Sequence, residues 1–453
     1  MQRFTHQEES ISFIRDRPRV FDASDPGTGK TRVAVESFTE RRIRGSGRAV
    51  IFAPKTILRN VWKTEFAKFA PHLTVAVASA GKREEAFEAN ADALIINHDG
   101  VKWLADKLKK EPKCLAQYDT LIIDESGAFK HATALRSKAM KKLASHFAYR
   151  ELMNGTPNPN SVLELWHQMF ILDDGLRLGK SFFAYRHAVC TPKQVGPAAN
   201  MVKWIDRDGA AEAVAKLVED ITIRHRFEDC VDIPENHRYV IEYHLTPAQL
   251  KAYDQMKKEQ MADLRNKQTV TAFNAATVAT KLLQIASGAV YDEQGNWHVI
   301  DRERYELVLD LIEARKSSVV FFLWQHQKEC LLEEARKRGI TFGVLDGTVS
   351  SDRQREETVN YFQSGLYRVI FAHPQSAAHG LTLTRGTSTI WASPTYNLEH
   401  FLQGVKRIHR AGQTEKTETI TLVAQNTIEA KVMAALEGKR LNMENLLSLL
   451  EFE

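Results

Sequence analysis

Cysteine is scarce in this sequence, and long apolar runs are missing. The four cysteines, Cys114, Cys190, Cys230 and Cys330, lie at least 40 residues apart and form no CxxC pair. That spacing argues against a local zinc knuckle or a disulfide scaffold and fits a reducing cytoplasm. The longest apolar run, Val319 to Trp324, is far shorter than the ~20 residues a membrane span needs. The first residues include Glu8, Glu9, Arg15, Asp16 and Arg17, where a signal peptide would be apolar. Low-complexity tracts, short repeats and a Pro/Gly-rich tail are also lacking. Charge is nearly balanced: 62 Lys and Arg against 57 Asp and Glu leave a net +5. So small an excess permits a polyanionic partner, but it matters only if the cations gather on one face. Secreted, membrane and small-metalloprotein classes are excluded on these grounds.

What is present fits an ordinary globular chain, 43% hydrophobic and 26% charged over 453 residues. At roughly 150 residues per domain this length suggests two or three domains. Short apolar runs alternate with longer helical stretches, the pattern of parallel sheets covered by helices. The first half offers strands at Val20–Ala23, Ala49–Ala53, Val75–Ala78, Ala93–Asn97 and Thr120–Ile123. The second offers Val319–Leu323, Thr341–Leu345, Arg368–Ala372, Thr389–Ala392 and Glu418–Val423. Two such successions predict an α/β chain with two doubly wound parallel-sheet lobes. Between them, from about Asp173 to Arg302, the rhythm breaks, and Ala210–Asp220 and Ala248–Arg265 read as polar-faced helices. The expected division is 1–172 for the first lobe, 173–302 for a helical insertion and linker, and 303–453 for the second lobe with a C-terminal helix.

The most specific local signal is Ser24-Asp-Pro-Gly-Thr-Gly-Lys-Thr31, which follows a predicted strand and precedes the helix-like Arg32–Phe38. In that context Gly27, Thr28 and Gly29 form a loop whose backbone N–H groups cradle phosphate oxygens at a helix N-terminus. Lys30 would reach the β- and γ-phosphates, and the Thr31 hydroxyl would ligate Mg²⁺. Downstream, Leu121-Ile-Ile-Asp124-Glu125 is an apolar strand ending in two carboxylates. At the carboxyl edge of a parallel sheet they lie where ligands bind. Asp124 suits the Mg²⁺ shell, and Glu125 can orient or deprotonate an attacking water. Acidic pairs after strands also cap helices, but beside Lys30 they point to a nucleoside triphosphatase. Phosphoryl transfer also needs a cation at the developing charge. Asn397–Ala411 reads as a helix closed by Gly412, with Gln403, Arg407 and Arg410 spaced to share one face.

Together these segments resemble a superfamily-two helicase motor, specifically the Swi/Snf family of DNA translocases, over Phe4 to Lys439. Phe4-Thr-His-Gln7 resembles the adenine-reading Q motif, with Gln7 on the base and Phe4 as a stacking partner. Ala53-Pro-Lys-Thr and Asn60-Val-Trp-Lys-Thr-Glu-Phe66 resemble motif Ia and the family's Asn–Trp–Glu–Phe signature. Asp124-Glu-Ser-Gly-Ala-Phe-Lys130 stands at motif II, and Asn154-Gly-Thr-Pro157 with Asn160 and Glu164-Leu-Trp166 at motif III. Ser376-Ala-Ala-His-Gly-Leu-Thr-Leu383 resembles motif V, and Gln403-Gly-Val-Lys-Arg-Ile-His-Arg-Ala-Gly-Gln413 motif VI. Thr427-Ile-Glu429 matches the segment that follows. Ile223-Arg-His-Arg226 and Leu245–Tyr253 are similar to the stretch joining the lobes.

The resemblance implies two tandem RecA-like lobes that bind ATP and Mg²⁺. It assigns Lys30, Asp124, Glu125, Arg407 and Arg410 to catalysis and adds Gln403 to the nucleotide contacts. It implies double-stranded DNA as partner, with Lys55, Thr56, Asn97 and His98 in the first lobe and Gly347 and His379 in the second touching the backbone. A monomer in a bacterial or phage-infected cell, free of long reader domains, is the expected form. Four departures from the family pattern stand out: Gly127 replaces the usual His of motif II, which bears on coupling, Asn154 stands where Thr is preferred, Asn158-Pro159 replaces Ile-Gln in motif III, and Lys406 replaces a frequent Asp. The expected activity is ATP-driven translocation that displaces proteins or remodels branched DNA in replication, recombination or repair. A strand-separating helicase and a nucleotide-switched subunit of a larger defence or replication complex are the alternatives. His326, His373, His409, Phe321–Phe322 and Trp166 read as packing residues.

Overall fold

The computed structural model describes residues 2–157, 160–195, 201–230, 232–266, 272–292, 294–349, 351–377 and 381–448. The chain clusters into two compact units, residues 1–232 with 439–453, and residues 233–438. In the first, β1 (Arg19–Asp22), β2 (Arg48–Ala53), β3 (Val75–Ala78), β4 (Ala93–Asn97), β5 (Tyr118–Asp124) and β6 (Tyr149–Met153) build the sheet. A separate antiparallel hairpin follows, β7 (Cys190–Gln194) and β8 (Val202–Asp206), and then β9 (Thr222–Ile223). The sheet order is β3-β4-β2-β5-β6-β1-β9, and every pair is parallel. Strands such as β2 and β4 are buried almost throughout, as a parallel sheet covered on both faces requires.

The second unit repeats the plan with β10 (Asn236–Tyr243), β13 (Ser318–Phe321), β14 (Phe342–Leu345), β15 (Val369–Ala372), β16 (Ser388–Trp391) and β17 (Thr417–Ala424). Their order is β10-β17-β16-β13-β15-β14, again wholly parallel, and β11 (Ala289–Tyr291) pairs with β12 (Trp297–Val299) as a hairpin. Each of the ten apolar runs read as strands is a strand, within two residues at either end. Phe321 and Phe322 are core, and Phe321 stacks on Trp391 at 4.5 Å. Gly404 lets the helix Leu398–Val405 approach that pair: a Cβ there would lie 2.8 Å from Trp391 and 2.9 Å from Phe321.

The middle stretch departs from expectation. Residues 173–302 do not form a separate insertion: β9 extends the first sheet beside β1, and β10 extends the second beside β17. Nor is the stretch only helical, since it also holds both hairpins. The two expected helices are there, as Ala210–Val218 with a following 3₁₀ turn and as Pro247–Asn266. β6 went unread because Arg150 and Glu151 interrupt its apolar run. Both are buried, Arg150 bonding the carbonyls of Ile171 (3.0 Å) and Leu172 (3.3 Å), and Glu151 lying 3.9 Å from Arg41.

Candidate nucleotide site

In the first unit, α1 (Thr5–Arg15) buries Ile11, Phe13 and Ile14 against Val20, Val33 and Ile223. This packing carries the chain start to the loop between β1 and α2 (Lys30–Ile43). The loop has the geometry that its glycines predicted. Gly27 and Gly29 have φ of +98° and +88°, where any side chain is disfavoured. Space is closed as well: a Cβ on Gly27 would meet the Phe227 ring at 2.9 Å, and one on Gly29 would collide with the Gln7 amide nitrogen. Lys30 Nζ donates to the carbonyls of Ser24 (2.5 Å) and Asp25 (3.1 Å). Thr31 opens α2 one residue later, half-buried.

Gln7 is buried, and its Oε1 accepts from Phe4 N–H at 3.2 Å, so its amide nitrogen faces Gly29. Phe4 is 52% exposed and stacks on His6 at 5.8 Å, presenting a free ring face. His6 was not singled out in the sequence, yet its Nε2 lies 2.8 Å from the Thr28 carbonyl. The segment after β9 also went unassigned to this site. Ala23 N–H and Asp25 N–H donate to the Ile223 (2.8 Å) and His225 (3.0 Å) carbonyls, and His225 N–H donates to Ser24 Oγ at 3.0 Å. Phe227 N–H donates to Asp25 Oδ2 at 3.2 Å, and Arg224 pairs with Asp25 at 3.4 Å. Ser24, which replaces the usual first glycine, thus holds the loop to its neighbouring strand.

β6 lies between β1 and β5, with Asp124 in register with Met153 and Met153 with Asp22. Asp124 therefore sits about two strand spacings from the phosphate loop, ~10 Å. Trp62, fully buried in a π-helical turn over Leu58–Lys63, donates from Nε1 to Asp124 Oδ2 at 2.9 Å. Burial, and then the charge of Glu125, push the Asp124 carboxyl up to about 7, while Trp62 and Lys30 oppose the shift. A buried carboxylate with uncompensated charge beside an acid and a hydroxyl-bearing Thr31 is a hard oxygen donor set that fits Mg²⁺. Such an ion is held by one or two carboxylates plus substrate phosphates, whose charge it neutralises. Glu125 adopts φ +52°, ψ +57°, a conformation that a non-glycine residue keeps where the surroundings over-determine it.

Removing the indole donor should move the acid limb of activity. Trp62→Phe takes away a bond that favours the ionised Asp124, so its pKa rises. The half-maximal point of the acidic limb of the ATPase pH profile is expected at higher pH than in the parent. An unchanged limb, with the melting temperature retained, would show that Asp124 ionisation does not govern it.

Motifs II and III are joined by one buried amide. Gln168 Oε1 accepts from Ser126 Oγ (2.7 Å) and Asn154 Nδ2 (2.8 Å), while Nε2 donates to the carbonyls of Pro157 (2.9 Å) and Glu164 (3.0 Å). A Cβ on Gly127 would lie 3.1 Å from that same Asn154 nitrogen. The two departures, Gly127 and Asn154, are therefore neighbours in space. Trp166 is core, as expected, with Nε1 donating to Gly179 O at 3.0 Å.

In the second unit motif VI differs from the expected long helix. The helix is Leu398–Val405, capped by Asn397 Oδ1 accepting from His400 N–H at 3.0 Å. The regular ladder ends where Arg407 N–H donates to Gly404 O (3.1 Å), three residues back, while its own Nε takes the Gln403 carbonyl that the next helical bond would use. Gln403, Arg407 and Arg410 consequently do not form one helical face, and Gly412, at φ +94°, turns a later bend rather than closing the helix. The arginines still converge, with Arg407 Nη1 (3.2 Å) and Arg410 Nη1 (3.0 Å) both donating to Leu381 O. Gln403 is buried and its carbonyl accepts from Arg407 Nε at 3.0 Å.

The expected nucleic-acid residues fall into two places. Lys55 and Thr56 follow β2, and Asn97 and His98 end or follow β4, whose Asn97 is in register with Ala53. Lys55 is exposed, but Asn97 Oδ1 accepts from Arg83 (3.2 Å) and His98 Nε2 lies 2.8 Å from Asp124 O. Gly347 is exposed after β14, in a turn held by Asp346, which takes Lys328 Nζ at 3.0 Å and Thr348 N–H at 2.9 Å. His379 and Asn158-Pro159 lie outside the described residues. His326 bonds Ser287 Oγ and Tyr291 OH, and His409 bonds Pro234 O, so both serve packing as read. The cysteines are unpaired.

A phosphate loop at the head of a doubly wound parallel sheet, with an acidic pair two strands away, defines a nucleoside triphosphatase unit. The SNF2-related domain family matches residues 6–287, and the helicase conserved C-terminal domain matches residues 303–412. The chain belongs to the SNF2-related family, and with the helicase C-terminal domain its enzyme class is the DNA-dependent ATPase that the sequence implied. It is 28% identical over 472 residues to protein p41 of Acyrthosiphon pisum secondary endosymbiont phage 1, covering 99% of each chain. It is 22% identical to an uncharacterized ATP-dependent helicase of Mycoplasma genitalium, over 96% of this chain but 41% of that protein. Among solved structures, the SWI2/SNF2 ATPase core of Sulfolobus solfataricus in complex with dsDNA is 20% identical, with TM-score 0.46, over 99% of this chain and 93% of that one. No helix among the described residues is long and apolar enough to cross a membrane.

Proposed function

We propose that the protein is an ATP-driven translocase on double-stranded DNA that displaces bound proteins or remodels branched DNA. The observation that carries this reading is the paired site of the first unit, phosphate loop and Asp124–Glu125, in a chain of the SNF2-related family. Lys30 and Thr31 hold the phosphates and Mg²⁺, Asp124 completes the metal shell, Glu125 orients the water, and Gln7 and Phe4 take the adenine. Arg407 and Arg410 supply cation to the developing charge. Lys55, Thr56, Asn97, His98, Gly347 and His379 grip the DNA backbone, giving motion without sequence choice. The Gln168 amide is the physical link between motifs II and III that supports coupling without the usual His.

The test is ATP hydrolysis without nucleic acid, then with single-stranded DNA, duplex DNA and RNA, with Lys30→Ala as blank. Strong stimulation by duplex DNA is expected. Turnover indifferent to every nucleic acid would overturn the motor and favour the nucleotide-switched subunit. The β7–β8 hairpin, not read from sequence, favours strand separation as a second reading. A displaced-strand assay decides between them.

A further inference from the structure

One cluster of cations lies on the β7–β8 hairpin and the helix that leads into it. Between residues 180 and 207 stand Lys180, Arg186, Lys193, Lys203 and Arg207 against Asp206 alone, a net +4 beside +5 for the whole chain. The helix Phe182–Val189 leads into β7, and β8 returns antiparallel to it.

In this ribbon Lys193 faces Lys203 directly, and both side chains are exposed. Like charges directly opposite one another destabilise a strand pair, and a two-stranded ribbon has little stability to spare. Lys107 and Lys130 of the same unit pair with carboxylates, whereas neither Lys193 nor Lys203 has such a partner among the described residues. Arg186 is also without one: its guanidinium lies over the rings of Trp204 (4.1 Å) and Phe183 (5.2 Å), and its Nε is buried with no hydrogen-bond partner. Asp206, the one acid, is turned inward, accepting from Ser161 Oγ (2.5 Å) and Val162 N–H (3.0 Å). The field of Lys203 also reaches Lys439. Burial lowers the Lys439 pKa, Glu164 opposes this, and Lys130 and Lys203 add to it.

We infer that the face of the β7–β8 hairpin bearing Lys193 and Lys203 is a contact for the DNA phosphodiester backbone, additional to the loops after β2 and β4. The inference deepens the DNA reading above and rests on it. A polyanion relieves the repulsion that the fold leaves in place. A contact made by lysines to phosphate carries no sequence information, so it is sequence-independent.

The experiment uses the full chain and a fluorescent duplex of arbitrary sequence, titrated at several KCl concentrations. Lys193→Gln/Lys203→Gln is expected to weaken binding about tenfold at moderate salt and to flatten the log–log salt slope by about 1.8, two contacts' worth. ATP turnover without DNA should be unchanged. Thermal stability should be equal or higher, because a repulsion is removed. Lys193→Arg/Lys203→Arg should bind as the parent does. Parent-like affinity and slope in the Gln pair would overturn the inference while leaving the DNA motor standing. An equal loss in the control pair Lys109→Gln/Lys110→Gln would also overturn it, since net charge alone would then suffice. A parent protein that binds no duplex at all would overturn both.

Discussion

Glu125→Gln is expected to lower ATP turnover by about 10²–10⁴-fold, the range of a positioned general base, with nucleotide affinity largely kept. The physical argument lies in the neighbours. In the proposed site Lys30 and the loop glycines take the phosphates, and the loop's geometry depends on Gln7, His6, Phe227 and the β9 segment rather than on Glu125. Asp124 is held separately by Trp62. What Glu125 contributes is a carboxylate at the end of β5, on a left-handed backbone that a glutamate does not adopt for local reasons. A second readout separates this role from a structural one. Since Glu125 is the second cause of the raised Asp124 pKa, after burial, its neutralisation should lower that pKa and move the residual acidic limb to lower pH. Single-turnover rates and nucleotide titration of the same variant check both points. A turnover within threefold of the parent would assign the water to another group.

Arg304→Met is expected to destabilise the second unit by about 3–5 kcal/mol, because it strips the partner from a buried carboxylate. Arg304 and Glu429 are both almost wholly buried and bond bidentately, Nη1 to Oε1 at 2.9 Å and Nη2 to Oε2 at 2.8 Å. The guanidinium also donates to Ala392 O (2.8 Å), Ala286 O (3.0 Å) and the Tyr243 hydroxyl (2.5 Å). One arginine thus ties the end of β16, the helix Ala272–Ala286 and the start of the helix Ile428–Ser448. Burial works to lower its pKa, but the Glu429 charge prevails and holds the pKa above its usual value, so the guanidinium stays charged. Replacing both partners, Arg304→Met with Glu429→Leu, should recover much of the loss. Urea denaturation of the single and double variants measures this, and additive losses would show that the two residues do not act as a pair.

That pair shows where legibility in the sequence ended. Thr427-Ile-Glu429 was recognisable as a family segment, but its partner lies 125 residues away, and nothing in the local pattern names Arg304. The same holds for Trp62, visible in a signature yet 62 residues from the Asp124 it bonds, and for His6 under Thr28. Motif VI was legible as residue types and not as shape. Its helix ends at Val405, where the Arg407 side chain takes the Gln403 carbonyl and reaches Leu381 O, contacts that outweigh helical periodicity. β6 was hidden because its buried charges look like surface, and β9 because two residues carry no period.

The sequence by itself determined the two parallel sheets, through apolar runs that only a covered sheet can bury, and the phosphate site, through glycines that alone adopt the loop's left-handed turns. Tertiary structure alone decided which strand flanks β1, where the middle stretch divides, how Gly127 and Asn154 became neighbours, and that two lysines face each other across a hairpin. Those outcomes depend on contacts between residues far apart in the chain, and local propensity carries no record of them.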